Sequence, residues 1–307
     1  MTTPLPRPSV VVLGPTASGK SDAAMHAAEA CAGAAIVACD AMQVYRGMDI
    51  GTAKPTLDDQ ARVDHFGLNL VDASERFTVA DFQVDARRSI ATLRDAGRSV
   101  VVVAGTGLYL TAVIDDLQFP GEFPDVRASL EREPSTAVLL ARLVDLDPVS
   151  ASRIEPTNRR RIVRALEVCI GSGKPFSTTG PGTDAYPDNG VPQIGIKWER
   201  EALARRIAQR VERMMEAGFL EEVRALLAGP PLSQTAAKAL GYAELIEHLR
   251  GRMTVTEAVA AIVTHTRQFA VRQERWFRRD PRIRWVHVEH DPIAEVAPVV
   301  AEHLRPS

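Results

Sequence analysis

A glycine-rich segment near the start of the chain limits the folds open to it: Gly14-Pro15-Thr16-Ala17-Ser18-Gly19-Lys20-Ser21. It follows the apolar, β-branched run Val10–Leu13 and opens a predicted helix that continues to Ala32. Glycines let backbone N–H groups converge on an anion, and the N-terminus of a helix adds partial positive charge. Lys20 supplies a full charge, and the Ser21 hydroxyl suits a bound Mg²⁺. The order of strand, glycine-rich loop and helix therefore predicts a P-loop that holds phosphate groups.

Short apolar runs alternate with helical patterns along the chain. The predicted strands are 10–13, 36–39, 99–103, 193–197 and 283–288. The predicted helices are 78–97, 125–146, 157–170, 200–217, 220–227, 233–249 and 254–279. Valine-rich strands that alternate with helices are typical of a parallel sheet covered on both faces. We therefore predict an α/β fold with a P-loop NTPase-like parallel sheet core.

The composition changes after Leu117, where residues 118–124 have the phenylalanine, proline and glycine content of a linker. Helical patterns follow, and residues 172–192 are then rich in glycine, proline and threonine. Segments of that length without secondary structure are usually functional or mobile. We predict that residues 119–192 form a helical insertion domain, within one core made of residues 1–118 and 193–307.

The composition is that of an ordinary globular enzyme, with 45% hydrophobic and 25% charged residues and a net charge of −2. Any binding of nucleic acid must then come from local basic patches. Cys31, Cys39 and Cys169 lack metal-type spacing, and the polar N-terminus has no apolar signal core. We expect a cytoplasmic protein that acts as a monomer and does not associate with membranes.

Polar side chains follow two more of the predicted strands. Asp40 comes directly after the second strand, and Thr106 follows the third in Gly105-Thr106-Gly107. Because ligands of parallel sheets lie beyond the carboxyl ends of the strands, both residues and the P-loop are predicted to face one crevice. Asp40 suits a magnesium ligand, a general base or a turn cap. Thr106 either donates to a substrate or only satisfies the turn.

Two arginine-rich helices are candidate RNA contacts. Residues 158–164 contain four arginines and no acidic residue, a pattern of a solvated face or of binding to a phosphate backbone. Residues 266–279 alternate arginines with Phe269, Trp276 and Phe277, which suits unstacked bases as well as a helix core. Arg224 either reaches an anion or pairs with Glu221, and the spacing does not choose between these.

In combination, these motifs resemble the bacterial tRNA dimethylallyltransferases, the isopentenyl-diphosphate:tRNA transferase family. The resemblance covers nearly the whole chain in order, and its most specific segment is Asp40–Pro55, DAMQVYRGMDIGTAKP. The other matching segments are 14–21, 105–109, 158–173, 218–224, 240–242 and 266–269. The resemblance implies transfer of a dimethylallyl group from dimethylallyl diphosphate to N6 of the adenosine just 3′ of the anticodon in tRNA, forming N6-isopentenyladenosine.

The resemblance also implies roles for individual residues. Asp40 would accept the N6 proton, Thr106 would help to position the base or the diphosphate, and Mg²⁺ would be held at Ser21. The diphosphate would be bound by Gly14, Pro15, Thr16, Ala17, Ser18, Gly19, Lys20, Ser21 and Arg224. The contacts with the tRNA anticodon stem-loop would be made by Ala41, Met42, Gln43, Arg127, Arg160, Arg161, Ile162, Val163, Arg164, Lys238, Gly241 and Tyr242. The family usually has serine where Ala41 stands, so one hydroxyl contact beside the base is missing here.

Other functions stay open on the residues alone. A P-loop kinase or nucleotide hydrolase acting on a small molecule would use Asp40 as a magnesium ligand. A non-catalytic RNA-binding protein would use only the arginine clusters, and a related transferase would prenylate free adenine nucleotides. A small-molecule kinase gives no evident role to residues 41–55 or to the basic helices, which favours prenyl transfer to tRNA.

Overall fold

Parallel strands run through the centre of the structure, a computed structural model that describes residues 7–115, 117–180, 182–183 and 185–304. The strands are β1 Val10–Leu13, β2 Ala35–Cys39, β3 Tyr45–Arg46, β4 Asp64–Phe66, β5 Val71–Asp72, β6 Val100–Ala104, β7 Gln193–Trp198 and β8 Ile283–Val288. The main sheet has the order β4-β2-β6-β1-β7-β8 with every neighbouring pair parallel, and β3 pairs separately with β5. The predicted α/β fold with a parallel sheet core is confirmed.

The chain divides into two units, and the second lies between Asp115 and Tyr186. We call it the insertion unit, and we call the remainder the core unit. The predicted insertion boundaries, 119 and 192, lie a few residues later at both ends. The helices are α1 Lys20–Glu29, α2 Leu57–Arg62, α3 Val79–Asp95, α4 Gly107–Ile114, α5 Pro124–Glu131, α6 Thr136–Leu146, α7 Pro148–Arg153, α8 Arg159–Ser172, α9 Arg200–Glu216, α10 Phe219–Ala228, α11 Gln234–Ala237, α12 Tyr242–Leu249, α13 Val255–Phe277 and α14 Pro292–Ala301.

The apolar run of β1 is explained by burial on both faces of the sheet. Successive side chains of a strand point to opposite faces. Val11 and Leu13 accordingly enter a core shared with α3, α4 and α12, while Val10 and Val12 enter a second core shared with α1 and α14. All four side chains are fully buried. Helices therefore cover both faces, as the valine-rich strands predicted.

The order of the strands brings three functional loops together. β6 lies between β2 and β1, so Asp40 after β2, Gly105 after β6 and Gly14 after β1 follow adjacent strand ends. The carboxyl ends of parallel strands meet at one edge of a sheet. The prediction that these three strand ends are neighbours is confirmed.

Two predicted helices are each interrupted. The helix predicted at 125–146 divides into α5 and α6, because Pro134 lacks an N–H group and the Ser135 side chain begins a new helix by accepting from the Val138 N–H at 3.4 Å. The helix predicted at 233–249 divides at Gly241, whose φ of +86° a helix does not accept. Within the described residues, no helix combines the length and apolar character needed to cross a bilayer.

Candidate active site

A cavity of about 200 Å³ opens at the carboxyl ends of β1, β2 and β6. The P-loop and α1 form one side of it, and Asp40 and Gly105 lie at the strand ends. Residues of the segment 43–65 and of α9 and α13 line the other sides. Its charged side chains comprise four cations and two carboxylates, so its potential favours an anion. These charged residues are Lys20, Arg206, Arg210, Arg213, Asp22 and Asp40.

The P-loop has the backbone conformation of an anion-binding loop. Gly19 has a φ of +85°, and a Cβ there would lie 2.3 Å from Pro292 Cγ, so glycine is required. Ala17 also has a positive φ of 63°, which is uncommon for a residue other than glycine. No side chain caps the N-terminus of α1. The first amides of this helix are therefore available to an anion, together with the helix dipole.

Residues from the second half of the chain hold the loop in this shape. Trp198 Nε1 donates to the Ser18 carbonyl at 2.9 Å, and Arg206 Nε donates to the Ala17 carbonyl at 2.9 Å. The Arg206 guanidinium also lies 4.5 Å from the centre of the Trp198 ring. These partners are 180 and 189 positions away in the sequence. The loop motif alone therefore does not determine the shape of the site.

A bound anion would favour the charged form of Lys20. Burial, together with the nearby Arg210 guanidinium, lowers the pKa of Lys20 to about 8, although Asp40 and Asp22 oppose the shift. Burial likewise lowers the pKa of Arg210, again against the attraction of these two carboxylates. Desolvation and crowded positive charge disfavour the charged form of lysine, and an anion relieves the crowding. The electrostatics of the cavity thus match a multiply charged anion such as a diphosphate.

The two carboxylate oxygens of Asp40 have different surroundings. Oδ1 accepts from the N–H groups of Met42 at 2.8 Å and Gln43 at 3.3 Å. No described residue bonds to Oδ2. If Gly105 carried a Cβ, that atom would lie 3.5 Å from Asp40 Oδ2 and 3.3 Å from Lys20 Cε. The turn-cap role and the general-base role are therefore compatible, since one oxygen caps the turn while the other faces the cavity beside Lys20.

The segment after Asp40 is held by buried polar side chains of its own. Gln43 lines the cavity and donates from Nε2 to the carbonyls of Thr52 at 3.1 Å and Ala53 at 3.2 Å. Lys54 Nζ is buried and donates to Tyr45 O, Asp49 Oδ1 and Asn69 Oδ1, at 2.7, 2.5 and 2.7 Å. Gln43 and Lys54 therefore shape the wall that brings Thr52 and Ala53 to the cavity.

Glu222 of α10 holds the same segment from the other side. Its carboxylate accepts from the N–H groups of residues 49, 50 and 51 at 2.9, 2.7 and 3.1 Å, and from the Tyr242 hydroxyl at 2.6 Å. A Cβ at Gly51 would lie 2.2 Å from Phe219 and 2.6 Å from Tyr242, so the turn packs directly on both rings. Tyr242 is 1% exposed, which makes its side chain part of the core rather than an RNA contact.

Five of the residues predicted for catalysis or diphosphate binding do not line the cavity: Gly14, Pro15, Ser18, Thr106 and Arg224. Arg224 is 57% exposed and pairs with Glu221 at 3.3 Å, and it does not line the cavity. Thr106 precedes α4, and only its neighbour Gly105 lines the cavity. The structure therefore places cations other than Arg224 where a diphosphate would lie.

The cations that sequence reasoning missed are Arg206, Arg210 and Arg213 of α9, all of which line the cavity. They lie on one face of the helix, because residues four and three positions apart are neighbours on a helix surface. This spacing was the available signal. The three arginines form no contiguous run, because Ile207, Ala208, Gln209, Val211 and Glu212 separate them.

The predicted RNA contacts of the insertion unit fall into exposed and buried groups. Arg160 and Arg161 are exposed, whereas Ile162 and Val163 are 0% and 2% exposed in the core of this unit. Arg164 Nη2 donates to the Pro120 carbonyl at 2.8 Å, and its Nη1 pairs with the buried Glu167 at 3.0 Å. Within the part of the chain that the structure describes, Arg160 and Arg161 are the exposed members of this group and their side chains bond to no other residue.

The remaining predicted RNA contacts are mixed in the same way. Arg127 pairs with Glu131 at 3.0 Å and with Glu167 at 3.1 Å. Ala41 and Met42 are half-buried, Lys238 is exposed, and Gly241 is buried.

Oxygen ligands for a magnesium ion are present in the cavity. Ser21, Asp22 and Asp40 all line it. Hydroxyl and carboxylate oxygens suit Mg²⁺, which keeps several waters and needs few protein ligands when substrate phosphates supply the rest. Within the described residues, no group of three or more His, Cys, Asp or Glu residues is arranged to hold a metal ion without a substrate.

Comparison with known proteins gives a consistent result. The model of the IPP transferase family matches residues 43–280. The tRNA dimethylallyltransferase of Streptomyces griseus is 47% identical over 94% of both chains, and that of Thermobifida fusca is 46% identical over 96% of this chain and 94% of its own. Among solved structures, the tRNA isopentenylpyrophosphate transferase of Bacillus halodurans has a TM-score of 0.69 and 35% identity over 96% of both chains.

A eukaryotic dimethylallyltransferase acting on tRNA shares the fold, with a TM-score of 0.81, at 23% identity over 96% of this chain and 77% of its own. Both the family match and the identity to bacterial relatives extend across most of the sequence. The predicted resemblance is confirmed, and the chain belongs to the IPP transferase family.

Proposed function

We propose that this enzyme transfers a dimethylallyl group from dimethylallyl diphosphate to N6 of the adenosine 3′-adjacent to the anticodon in tRNA, forming N6-isopentenyladenosine. The observation that carries the proposal is the pairing of a P-loop with an uncommitted carboxylate oxygen of Asp40 beside Lys20 in one cavity. The relatives at 46–47% identity carry the name of the same reaction.

The diphosphate is the leaving group of this reaction. The C–O bond of the substrate breaks, the new C–N bond forms at N6, and the diphosphate leaves with the electron pair. The amides at the start of α1, with Lys20, Arg206 and Arg210, stabilise the charge that develops on it. Arg210 takes the diphosphate-binding role that the family resemblance implied for Arg224, because Arg210 lines the cavity and Arg224 does not.

Asp40 serves as the general base. Its Oδ2 accepts the proton that N6 loses as the C–N bond forms, while Oδ1 stays bonded to the Met42 and Gln43 amides and holds the carboxylate in place. Ser21, with Asp22 and Asp40 nearby, would hold a Mg²⁺ ion, which would neutralise part of the charge of the diphosphate. Thr106 does not line the cavity, and its role in positioning the base or the diphosphate stays a prediction.

The tRNA substrate is bound through its backbone and presents its adenosine unstacked. A base inside the anticodon stack does not reach a recessed cavity, so the adenosine must leave the stack. We assign the phosphate contacts of the insertion unit to Arg160 and Arg161, whose exposed side chains bond to no other side chain among the described residues. A tRNA substrate favours a cytoplasmic location.

A transfer assay with labelled substrate tests the proposal. The protein is incubated with dimethylallyl diphosphate carrying a labelled dimethylallyl group, Mg²⁺ and unmodified tRNA, in parallel with ATP turnover and with free AMP as the acceptor. We expect label in tRNA at the adenosine next to the anticodon. Label in AMP but not in tRNA would assign the chain to free-nucleotide prenylation, and brisk ATP turnover without any label transfer would favour the kinase.

A further inference from the structure

Four donors converge on one carboxylate that lies outside the cavity, that of Glu222. It accepts from the N–H groups of residues 49–51 and from the Tyr242 hydroxyl, over distances of 2.6–3.1 Å. Successive backbone N–H groups that point to one place form an anion-binding concavity. In this chain a side chain 171–173 positions later in the sequence fills that concavity. Glu222 therefore fixes the turn at residues 49–51 without lining the cavity itself.

The turn that Glu222 holds continues into a strained part of the cavity wall. Thr52 and Ala53 line the cavity, and Ala53 has a φ of +47°, which is uncommon for a residue other than glycine. The Ala53 N–H donates to the Ile50 carbonyl at 3.0 Å, so the strained residue folds back on the residues that Glu222 binds. Such conformations persist only where the surrounding structure enforces them. Loss of the Glu222 carboxylate should therefore let this part of the wall relax.

The same wall is bonded to the carboxylate of Asp40. Gln43 Nε2 donates to the carbonyls of Thr52 at 3.1 Å and Ala53 at 3.2 Å. The Gln43 N–H in turn donates to Asp40 Oδ1 at 3.3 Å. A continuous series of contacts therefore leads from Glu222 through the turn and Gln43 to Asp40.

We propose that Glu222 is a positioning residue for the proton transfer. By holding the turn it keeps Gln43 in place, and through Gln43 it keeps the Asp40 carboxylate oriented with Oδ2 towards the cavity. The inference rests on the proposed function, in which Asp40 Oδ2 accepts the proton that N6 loses. Glu222 itself touches neither substrate in this arrangement, because it does not line the cavity.

Other side chains hold the P-loop. Trp198 and Arg206 donate to its carbonyls at 2.9 Å. Gln273 Oε1 accepts from the Thr16 N–H, also at 2.9 Å. Since none of these bonds involves the turn at residues 49–51, a defect at Glu222 should slow the transfer and leave diphosphate binding intact.

Glu222→Gln tests the role of the carboxylate, because the amide keeps the size of the side chain but directs an NH₂ group at backbone N–H donors. We expect the single-turnover rate of label transfer at saturating substrates to fall by about 10-fold to 10²-fold, since small displacements of a reacting group are costly. The Kd of pyrophosphate, from isothermal titration in a magnesium buffer, should stay within about twofold of the wild type, because the P-loop is anchored independently. Glu221→Gln is the matched control, because Glu221 is exposed and pairs with Arg224.

A double-mutant cycle with Gln43→Ala distinguishes positioning from a general loss of stability. If Glu222 acts through Gln43, the double variant should transfer label no more slowly than Gln43→Ala alone, whereas a loss of folded protein would lower the rate in both backgrounds. Tyr242→Phe removes one of the four donors and keeps the ring that packs on Phe219. This milder change should lower the rate by about twofold to tenfold, and in the same cycle it decides the matter if Glu222→Gln does not fold.

Three results would overturn the inference. They are equal fractional losses of rate with and without Gln43→Ala, folded variants that keep the wild-type rate, and a loss of pyrophosphate affinity as large as the loss of transfer rate. A wild type that transfers no label to tRNA would instead overturn the proposed function, and this inference with it.

Discussion

Two arginine-bearing helices, α9 of the core unit and α8 of the insertion unit, carry similar residues in opposite surroundings. Arg206, Arg210 and Arg213 of α9 line a cavity that also holds Lys20. On α8, Arg160 and Arg161 are exposed, while Arg164 is committed to backbone carbonyls and to Glu167. The closely spaced arginines of α8 are easily recognised in the sequence. The more widely spaced arginines of α9 are the ones that lie beside the P-loop.

The difference shows that the density of arginines in the sequence does not reveal which of them line a cavity and which are exposed. Burial lowers the pKa of Arg210, and an anion there is held by charge with little competition from water. Exposed arginines such as Arg160 make contacts that salt screens. In the proposed function, chemistry and diphosphate binding accordingly belong to the core-unit cavity, and affinity for tRNA to the exposed arginines of α8.

The largest expected effect comes from Asp40→Asn. This change removes the proton acceptor and keeps the size of the side chain, so the single-turnover rate of label transfer should fall by about 10²–10⁴-fold. Binding of tRNA, measured by filter retention, should stay within about twofold of the wild type, since the affinity is assigned to another part of the molecule. Equal losses of transfer rate and of tRNA affinity would contradict the assignment of these two properties to different regions, the core-unit cavity and α8.

Arg210→Ala should have the next largest effect. Removing one preorganised charge from the leaving-group site should lower kcat/KM for dimethylallyl diphosphate by about 10²–10³-fold. Arg224→Ala is the matched control, because Arg224 is exposed and pairs only with Glu221 among the contacts described. A greater loss of kcat/KM for Arg224→Ala than for Arg210→Ala would instead support Arg224 as the arginine that binds the diphosphate.

The combined change Arg160→Ala with Arg161→Ala tests the other side of the comparison. The slope of the logarithm of tRNA affinity against the logarithm of salt concentration should fall by about 2, because each lost phosphate contact removes about 1. Turnover at saturating tRNA should be unchanged. The control Arg164→Ala should mainly lower thermal stability, because it removes a partner of the buried Glu167. A salt slope that only Arg164→Ala lowers would contradict the assignment.

The smallest effect is the pH dependence that Lys20 contributes to stability. Its pKa falls from 10.5 to about 8 on folding, so between these values the unfolded chain binds more protons than the folded protein. The contribution of Lys20 to the free energy of unfolding must then increase as the pH rises from about 8 to 10.5. The free energy of unfolding of the wild type relative to Lys20→Met, from urea titrations across this range, should increase with pH. Bound pyrophosphate should reduce or reverse the slope.

Much of the fold could be predicted because its signals are local. The valine runs of β1 and β6 and the capping box of Thr78 and Asp81 at the start of α3 each depend on residues close in the sequence. The errors also have local causes: the interruptions at Pro134 and Gly241 divide predicted helices, because a missing N–H and a positive φ outweigh hydrophobic periodicity. The short β3–β5 pair has too few residues to show a period.

The site could be predicted only in part. Asp40 and the P-loop follow strands, so their position at the sheet edge follows from the fold class. Tyr242, Ile162 and Val163 lie within matching segments, yet their side chains are buried. A resemblance locates a segment but does not show which of its side chains face solvent.

The sequence by itself determined the P-loop motif and the strands of the parallel sheet, because each depends on patterns within about ten residues. The general rule for parallel sheets then predicted that three strand ends share one edge. Only the tertiary structure decided which cations face the cavity and which amide of the P-loop is already taken. Arg206 and Gln273 reach the loop from 189 and 257 positions away. Contacts across such separations depend on how the helices pack on the sheet, and no local pattern records that packing.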